Sequence, residues 1–287
     1  MNTDSTFLIV GLGLMGGSYA MGLTKKGYRV TAIDKNPASL AFALQNGLIA
    51  EGAEAGNPAA VAALLAKADV LVLALYPKDI LPWLRGHLPY FKPGALVTDL
   101  VGVKTCFVPE AQSLLAGKHE FIPCHPMAGR EVSGVENADD GIFKNANFLI
   151  TPTAANTAAG IAFAHRFAET LGFARVTELT IQDHDQMIGY VSQLTHAIAV
   201  SLMNANADPR LPEVTGDSFR DLTRIADINA GLWSELFFAN KNALVQEIDE
   251  FTACLEQLKA CLETGDQAGL CRLFEQSSQR RRQFKKK

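Results

Sequence analysis

The stretch Phe7-Leu8-Ile9-Val10-Gly11-Leu12-Gly13-Leu14-Met15-Gly16 decides the fold. Four consecutive apolar residues read as a buried strand, and the glycines that follow at once read as a loop. From about Gly16 to Lys26 the chain reads as a helix, stopped by Gly27. Tyr28 to Asp34 is the next strand. Strand, glycine loop, helix and strand make a βαβ unit, and such units imply a parallel sheet.

Working outward, the alternation continues. Pro37 opens a helix that ends near Gly47, and Asn57-Pro58 is an N-cap and first-turn pair for an alanine-rich helix to about Ala68. Asp69 to Leu75 (DVLVLAL) reads as a strand buried on both faces. Ala95–Leu100, Phe121–Cys124 and Phe148–Thr151 are further strands. The fold class expected is α/β: a Rossmann-like, doubly wound, mainly parallel sheet followed by an all-α domain. After Thr180 the pattern changes. No convincing strand is found from Ile181 to Phe284, and Phe237 to Leu262 is the clearest amphipathic helix. The boundary is drawn near residue 180, giving 1–180 and 181–287.

Composition narrows the function classes. With 287 residues, 48% hydrophobic and 20% charged, the chain has material for one large or two ordinary globular domains. A net charge of -4 supplies no global basic field for nucleic acid or membrane, so neither is an expected partner. Any anionic ligand must be held by local cations. The five cysteines (Cys106, Cys124, Cys254, Cys261 and Cys271) include no C-x-x-C pair and read as reduced thiols. No metal site is expected. The start Met1-Asn2-Thr3-Asp4 lacks a basic targeting region, which with the thiols points to the cytoplasm. The basic end, Arg280-Arg281-Arg282 and Lys285-Lys286-Lys287, reads as a solvated tail.

The glycine loop fits G-x-G-x-x-G, from Gly11 through Leu12, Gly13, Leu14 and Met15 to Gly16. The first glycine permits the tight turn, the second lets backbone approach a pyrophosphate, and the third lets helix and strand pack closely. Asp34 ends the second strand 21 residues after Gly13, placed to accept from both ribose hydroxyls and to repel a 2'-phosphate. NAD is therefore expected, with Lys35 leaving room for NADP and flavin a formal competitor. His125-Pro126-Met127-Ala128-Gly129 is the second motif. Its histidine follows the strand Phe121–Cys124, at the sheet edge where ligands bind, and titrates near neutral pH. His184, between Asp183 and Asp185, reads as a helix start. His196 sits in an otherwise apolar helix and needs a partner. Arg224, beside Ile225 and Ala226, reads as partly buried without a carboxylate, and so as waiting for an anion.

On these residues the chain resembles the prephenate/arogenate dehydrogenases of tyrosine biosynthesis. The resemblance is carried by Gly11–Gly17, by His125–Gly129 with Glu131 and Ser133–Glu136, by His184-Asp185 and His196, and by Thr223–Ala226 with Trp233. It implies oxidative decarboxylation of prephenate by a homodimer joined through the helical domain. His125 would accept the ring hydroxyl proton. Arg224 would bind a carboxylate, with His196, Ser192 and Glu131 also at the substrate. The chain departs from the family pattern at Gly102, where many members carry serine, and at Gln193, where a histidine is usual. The alternatives are arogenate dehydrogenase, which has the same chemistry on an amino-bearing substrate, and a catalytically weak NAD-binding protein. A 3-hydroxyacid dehydrogenase would need a catalytic lysine in the helical region, and no such motif is evident.

Overall fold

The computed structural model describes residues 4–284. The lysines Lys285–Lys287 of the basic end and the first three residues of the chain lie outside it. Two compact units are present, Met1–Asn240 and Lys241–Lys287.

The first unit begins with β1 (Thr6–Val10), α1 (Leu14–Lys25), β2 (Arg29–Asp34), α2 (Pro37–Gln45), β3 (Glu51–Glu54), α3 (Pro58–Leu65), β4 (Val70–Leu73) and α4 (Pro77–His87). It continues with β5 (Leu96–Asp99), α5 (Val108–Leu115) and β6 (Glu120–Ile122). These strands form one six-stranded sheet in the order β3-β2-β1-β4-β5-β6, parallel throughout. Period-two alternation divides its residues between two faces. Phe7, Ile9, Val70 and Val72 enter one apolar core, and Leu8, Val10, Leu71 and Leu73 the other. That is why β1 and β4 read as unbroken apolar runs: both faces are covered. The Asn57 side chain accepts from the Ala60 N–H, as its cap position predicts. β3 carries too little apolar signal (EGAE) to be seen in the sequence.

The strand expected at Phe121–Cys124 is two strands in two sheets. β6 ends at Ile122. After Pro123 the chain enters β7 (Cys124–Met127), which pairs antiparallel with β8 (Asn147–Ile150). Following α6 (Ala158–Leu171), β9 (Arg175–Glu178) pairs parallel with β8 and completes a three-stranded sheet. Pro123 has no N–H to continue the first ladder, and Pro126 is tolerated because β7 is an edge strand. His125 is thus the second residue of β7 rather than the residue after a strand of the main sheet.

From Ile181 onward the described residues are helical or loop. α7 (Ile181–Ile188) passes through one π-helical segment, Gly189–Leu194, into α8 (Thr195–Asn204). The short α9 (Leu211–Val214) and α10 (Asp217–Thr223) lead to α11 (Ala230–Ala239). The helix expected over Phe237–Leu262 is broken at Asn240. That side chain is buried, donating to the Asp185 carbonyl and to Gln193 Oε1, each at 2.8 Å. Tertiary hydrogen bonding there overrides an unbroken periodic pattern. The second unit is a hairpin of α12 (Lys241–Thr264) and α13 (Gln267–Arg282), turned at Gly265. No helix among the described residues is long and apolar enough to cross a membrane. All five cysteines are free.

Candidate active site

A cavity of about 1050 Å³ opens along the carboxyl edge of the parallel sheet, walled by the glycine loop, the segment Leu100–Gly102, the His125 segment and the helices after Ile188. Ligand sites in open parallel sheets form at this edge, where strand order reverses. The reversal here lies between β1 and β4.

Each glycine of the loop has its own reason. Gly11 has φ +98°, and a Cβ there would lie 2.5 Å from the Ala74 carbonyl oxygen. A Cβ on Gly16 would overlap the Gly11 carbonyl. A Cβ on Gly13 would meet no atom within 4 Å beyond its chain neighbours, so no protein contact demands a glycine. A side chain at 13 would instead fill the open space where a pyrophosphate is expected to approach backbone. The N-terminus of α1 is open for it: Gly13 provides no side-chain cap and the first turn carries no acid. Gly13, Leu14, Met15 and Gly16 line the cavity. The Leu12 side chain is buried in the core. Its N–H donates to Asp34 Oδ2 at 2.5 Å, while Asp34 Oδ1 accepts from Asn36 N–H at 2.7 Å. The carboxylate is thereby pinned beside the loop. These residues fit a dinucleotide with unphosphorylated ribose.

His125 is partly buried on the cavity wall. Its Nδ1 lies 3.0 Å from His184 Nε2, and His184 Nδ1 lies 2.7 Å from Asp185 Oδ1. Reading His184 as a plain helix start is therefore incomplete. The Thr180 side chain caps α7 instead, accepting from Asp183 N–H. His184 is fully buried and joins His125 to a carboxylate. Asp185 also accepts from the N–H groups of Lys104 and Thr105 at 2.8 Å each and from the Thr105 hydroxyl. Burial would push its carboxyl up, but the bonds from His184 and Thr105 outweigh this and hold it below the usual carboxylate range. Burial lowers the His125 pKa well below the ordinary histidine value, with His184 and Lys104 adding to the effect. Burial also lowers that of His184, against the pull of Asp185. A Cβ placed on Gly102 would lie 3.4 Å from His125 Nε2, so the free ring nitrogen faces the cavity wall at Gly102.

Beneath His125 lies a second set of buried groups. Asp99, at the end of β5, accepts from Val101 N–H at 2.8 Å and Cys124 N–H at 3.1 Å, and pairs with Lys104. Lys104 Nζ donates in turn to the Cys124 carbonyl at 2.6 Å. Both side chains are fully buried. They clamp both backbone polar groups of the residue before His125. The signal available in sequence was an aspartate at a strand end with a lysine five residues on.

At the other end of the cavity, the Arg224 side chain is 63% exposed and pairs with Glu131, so it is neither buried nor without a carboxylate. Its apolar neighbours in sequence sit in a single 3-10 turn after α10, and the guanidinium points outward from it. His196 donates from Nδ1 to the Ser192 carbonyl at 2.8 Å and stacks on Trp233 with ring centres 3.6 Å apart. Burial lowers its pKa, so Nε2 is an acceptor. The π-helical segment brings Ser192, Gln193 and His196 together on the wall. Gln193 donates to the Leu236 carbonyl at 3.0 Å and accepts from Asn240, tying the segment to α11.

Comparisons with known proteins agree with this arrangement. The family model for the nucleotide-binding domain of prephenate dehydrogenase matches residues 19–178, and that for its dimerization domain matches 180–276. A prephenate dehydrogenase of Bacillus subtilis is 27% identical over 279 residues, covering 94% of this chain and 73% of that protein. Among solved structures, prephenate dehydrogenase from A. aeolicus in complex with hydroxyphenyl propionate and NAD+ superposes with a TM-score of 0.89 at 28% identity, covering 98% of this chain and 99% of that one. Synechocystis arogenate dehydrogenase gives 0.82 at 27% identity, covering 97% and 99%.

Proposed function

The chain belongs to the prephenate dehydrogenase family, and from this premise we propose that it catalyses the NAD-dependent oxidative decarboxylation of prephenate to 4-hydroxyphenylpyruvate. The observation that carries the proposal is His125: its Nδ1 is engaged by His184, and its Nε2 is open to the cavity shared with the glycine loop. NAD, when bound, supplies the hydride acceptor. Gly13 and the open end of α1 hold its pyrophosphate, and Asp34 holds the adenosine ribose. His125 takes the proton of the C4 hydroxyl as general base. Loss of the ring carboxylate as CO₂ leaves its electron pair to make the ring aromatic. Arg224 binds a substrate carboxylate once it exchanges Glu131 for the ligand. Ser192 and His196 face the rest of the substrate.

The same wall supports arogenate as a second reading. Glu131 and the neutral His196 are acceptors, which suit an ammonium group. Near-ultraviolet absorbance of NADH, followed with prephenate and in parallel with arogenate, tests both. Faster turnover of prephenate supports the first reading and faster turnover of arogenate the second. Binding of NAD without NADH from either substrate returns the chain to an NAD-binding role. The chain divides functionally near residue 180, acts as a homodimer through its helical part and works in the cytoplasm. Exposed Met187, Tyr190, Val191 and Phe238 on that part supply apolar surface for a second copy.

A further inference from the structure

The hydrogen-bond chain behind His125 has a direction. Asp185, an ionised carboxylate, can only accept, so His184 donates to it from Nδ1. A neutral His184 then has a bare Nε2, which can only accept from His125 Nδ1–H. His125 is left with its lone pair on Nε2, on the side of Gly102 and the cavity.

The chain also has an end. His184 is fully buried and Asp185 is 3% exposed, so a proton on either meets no water directly; the one bond leading outward from Asp185 is that with the hydroxyl of exposed Thr105. The stoichiometry of the proposed reaction asks for this. A dianionic substrate and NAD⁺ give a monoanionic product, CO₂ and NADH, so charge balances with no proton released. The proton that leaves the C4 hydroxyl as hydride departs must return to the same oxygen when the C–CO₂ bond breaks and its electrons aromatise the ring. Between these events it has to be kept.

We propose that His184 and Asp185 are positioning residues for His125: they fix its Nδ1–H tautomer, and they share the proton it takes until the phenolate oxygen takes it back. This rests on the reading of His125 as the base. As Nε2 gains the substrate proton, Nδ1–H can shift toward His184 Nε2, putting positive charge next to the Asp185 carboxylate. The other charged or titratable groups near the chain are Lys104 and Asp99, paired with each other below His125, and the thiols of Cys106 and Cys124, which burial pushes up to about 11 and about 12. None of them hydrogen-bonds His184 or His125.

The test has two arms. In the first, His184→Gln keeps an acceptor for His125 but cannot hold a proton, and Asp185→Asn removes the charge. Both are expected to lower kcat 10- to 1000-fold and to displace the acid limb of its pH profile, while KM and the Kd for NAD stay within about twofold. An unchanged kcat and pH profile in His184→Gln overturns the proposal, as does a loss confined to KM or NAD binding. Because Asp185 also satisfies Lys104 and Thr105 N–H groups, failure of Asp185→Asn to fold leaves the decision to His184→Gln. The second arm uses the unmodified protein, with ¹⁵N-labelled histidine read by NMR. A neutral His125 protonated on Nδ1 is expected, and one protonated on Nε2 overturns the proposal. This arm needs no substrate, so an error in the assigned reaction would show as missing turnover with the tautomer still as expected.

Discussion

Arg224 bonds to Glu131, a residue 93 positions earlier in the chain, at the rim of the cavity. An exposed pair of this kind contributes no more than about 1 kcal/mol. Exchanging Glu131 for a substrate carboxylate in the cavity is therefore cheap, and a charge-assisted bond to the ligand is worth roughly 1.5–3 kcal/mol. Arg224→Ala is expected to raise KM for prephenate roughly 10-fold or more with kcat little changed. Steady-state kinetics showing an unaltered KM would leave Arg224 as a surface ion pair only.

His125→Asn keeps a polar group of similar size but removes the base. It is expected to lower kcat by roughly 10²-fold or more, the usual worth of general acid–base catalysis. NAD affinity, measured by fluorescence titration, should be retained. Near-normal turnover would end the assignment.

The buried histidines set a pH dependence whose sign can be worked out. His125 and His184 both have folded pKa values below the unfolded value of about 6.5. Above that value neither state binds the protons and the two histidines are neutral to stability. As pH falls below it the unfolded chain binds protons that the folded chain refuses, so stability is lost. Asp185 acts in the same direction at lower pH. Its depressed pKa contributes stability that is present above about 3.9 and lost as pH falls through the folded value. Tm should therefore fall as pH is lowered from about 6.5, with His184→Gln flattening the decline. For the same reason the acid limb of kcat/KM should lie below about 6.5, since His125 stays an unprotonated base there; a limb above 7 would contradict it.

Asp34→Ala removes the acceptor beside the glycine loop and frees the Leu12 N–H. The Kd for NAD is expected to rise about 10-fold, matching loss of roughly 1.5 kcal/mol of charge-assisted bonding. Discrimination against NADP should shrink along with it. Titration with both cofactors decides, and an unchanged NAD affinity would exclude the ribose contact.

Lys104→Met leaves Asp99, whose carboxyl burial already raises, without its cation and held only by two backbone N–H groups. Breaking one half of a buried pair costs about 3–5 kcal/mol. Urea unfolding should show that loss as a lower midpoint at unchanged slope. A change under about 1 kcal/mol would mean that the pair is not what holds Cys124 in place.

The order of elements followed from local pattern. Apolar runs such as Leu8–Val10 and Val70–Leu73 read as strands because each is covered on both faces. Gly11, Gly13 and Gly16 read as a cofactor loop because backbone sterics leave few other reasons for that spacing. Asp34 reads as the acid that ends the second strand, and it does end β2, because strand length fixes where a strand's last side chain stands. For the proposed substrate end, the sequence points to His125 and Arg224 by type and by resemblance, but not to their surroundings.

By itself, then, the sequence determined a parallel sheet with a dinucleotide loop and a helical second part, since side-chain periodicity and glycine chemistry act over a few residues. Only the tertiary structure decided that the chain changes sheets at Pro123, that Arg224 is exposed and paired, and that Asn240 breaks a helix. It also decided that His184, 59 residues from His125 in sequence, stands behind its ring. These features rest on hydrogen bonds and charges between residues far apart along the chain, and no local periodicity encodes which distant partner a polar group will meet.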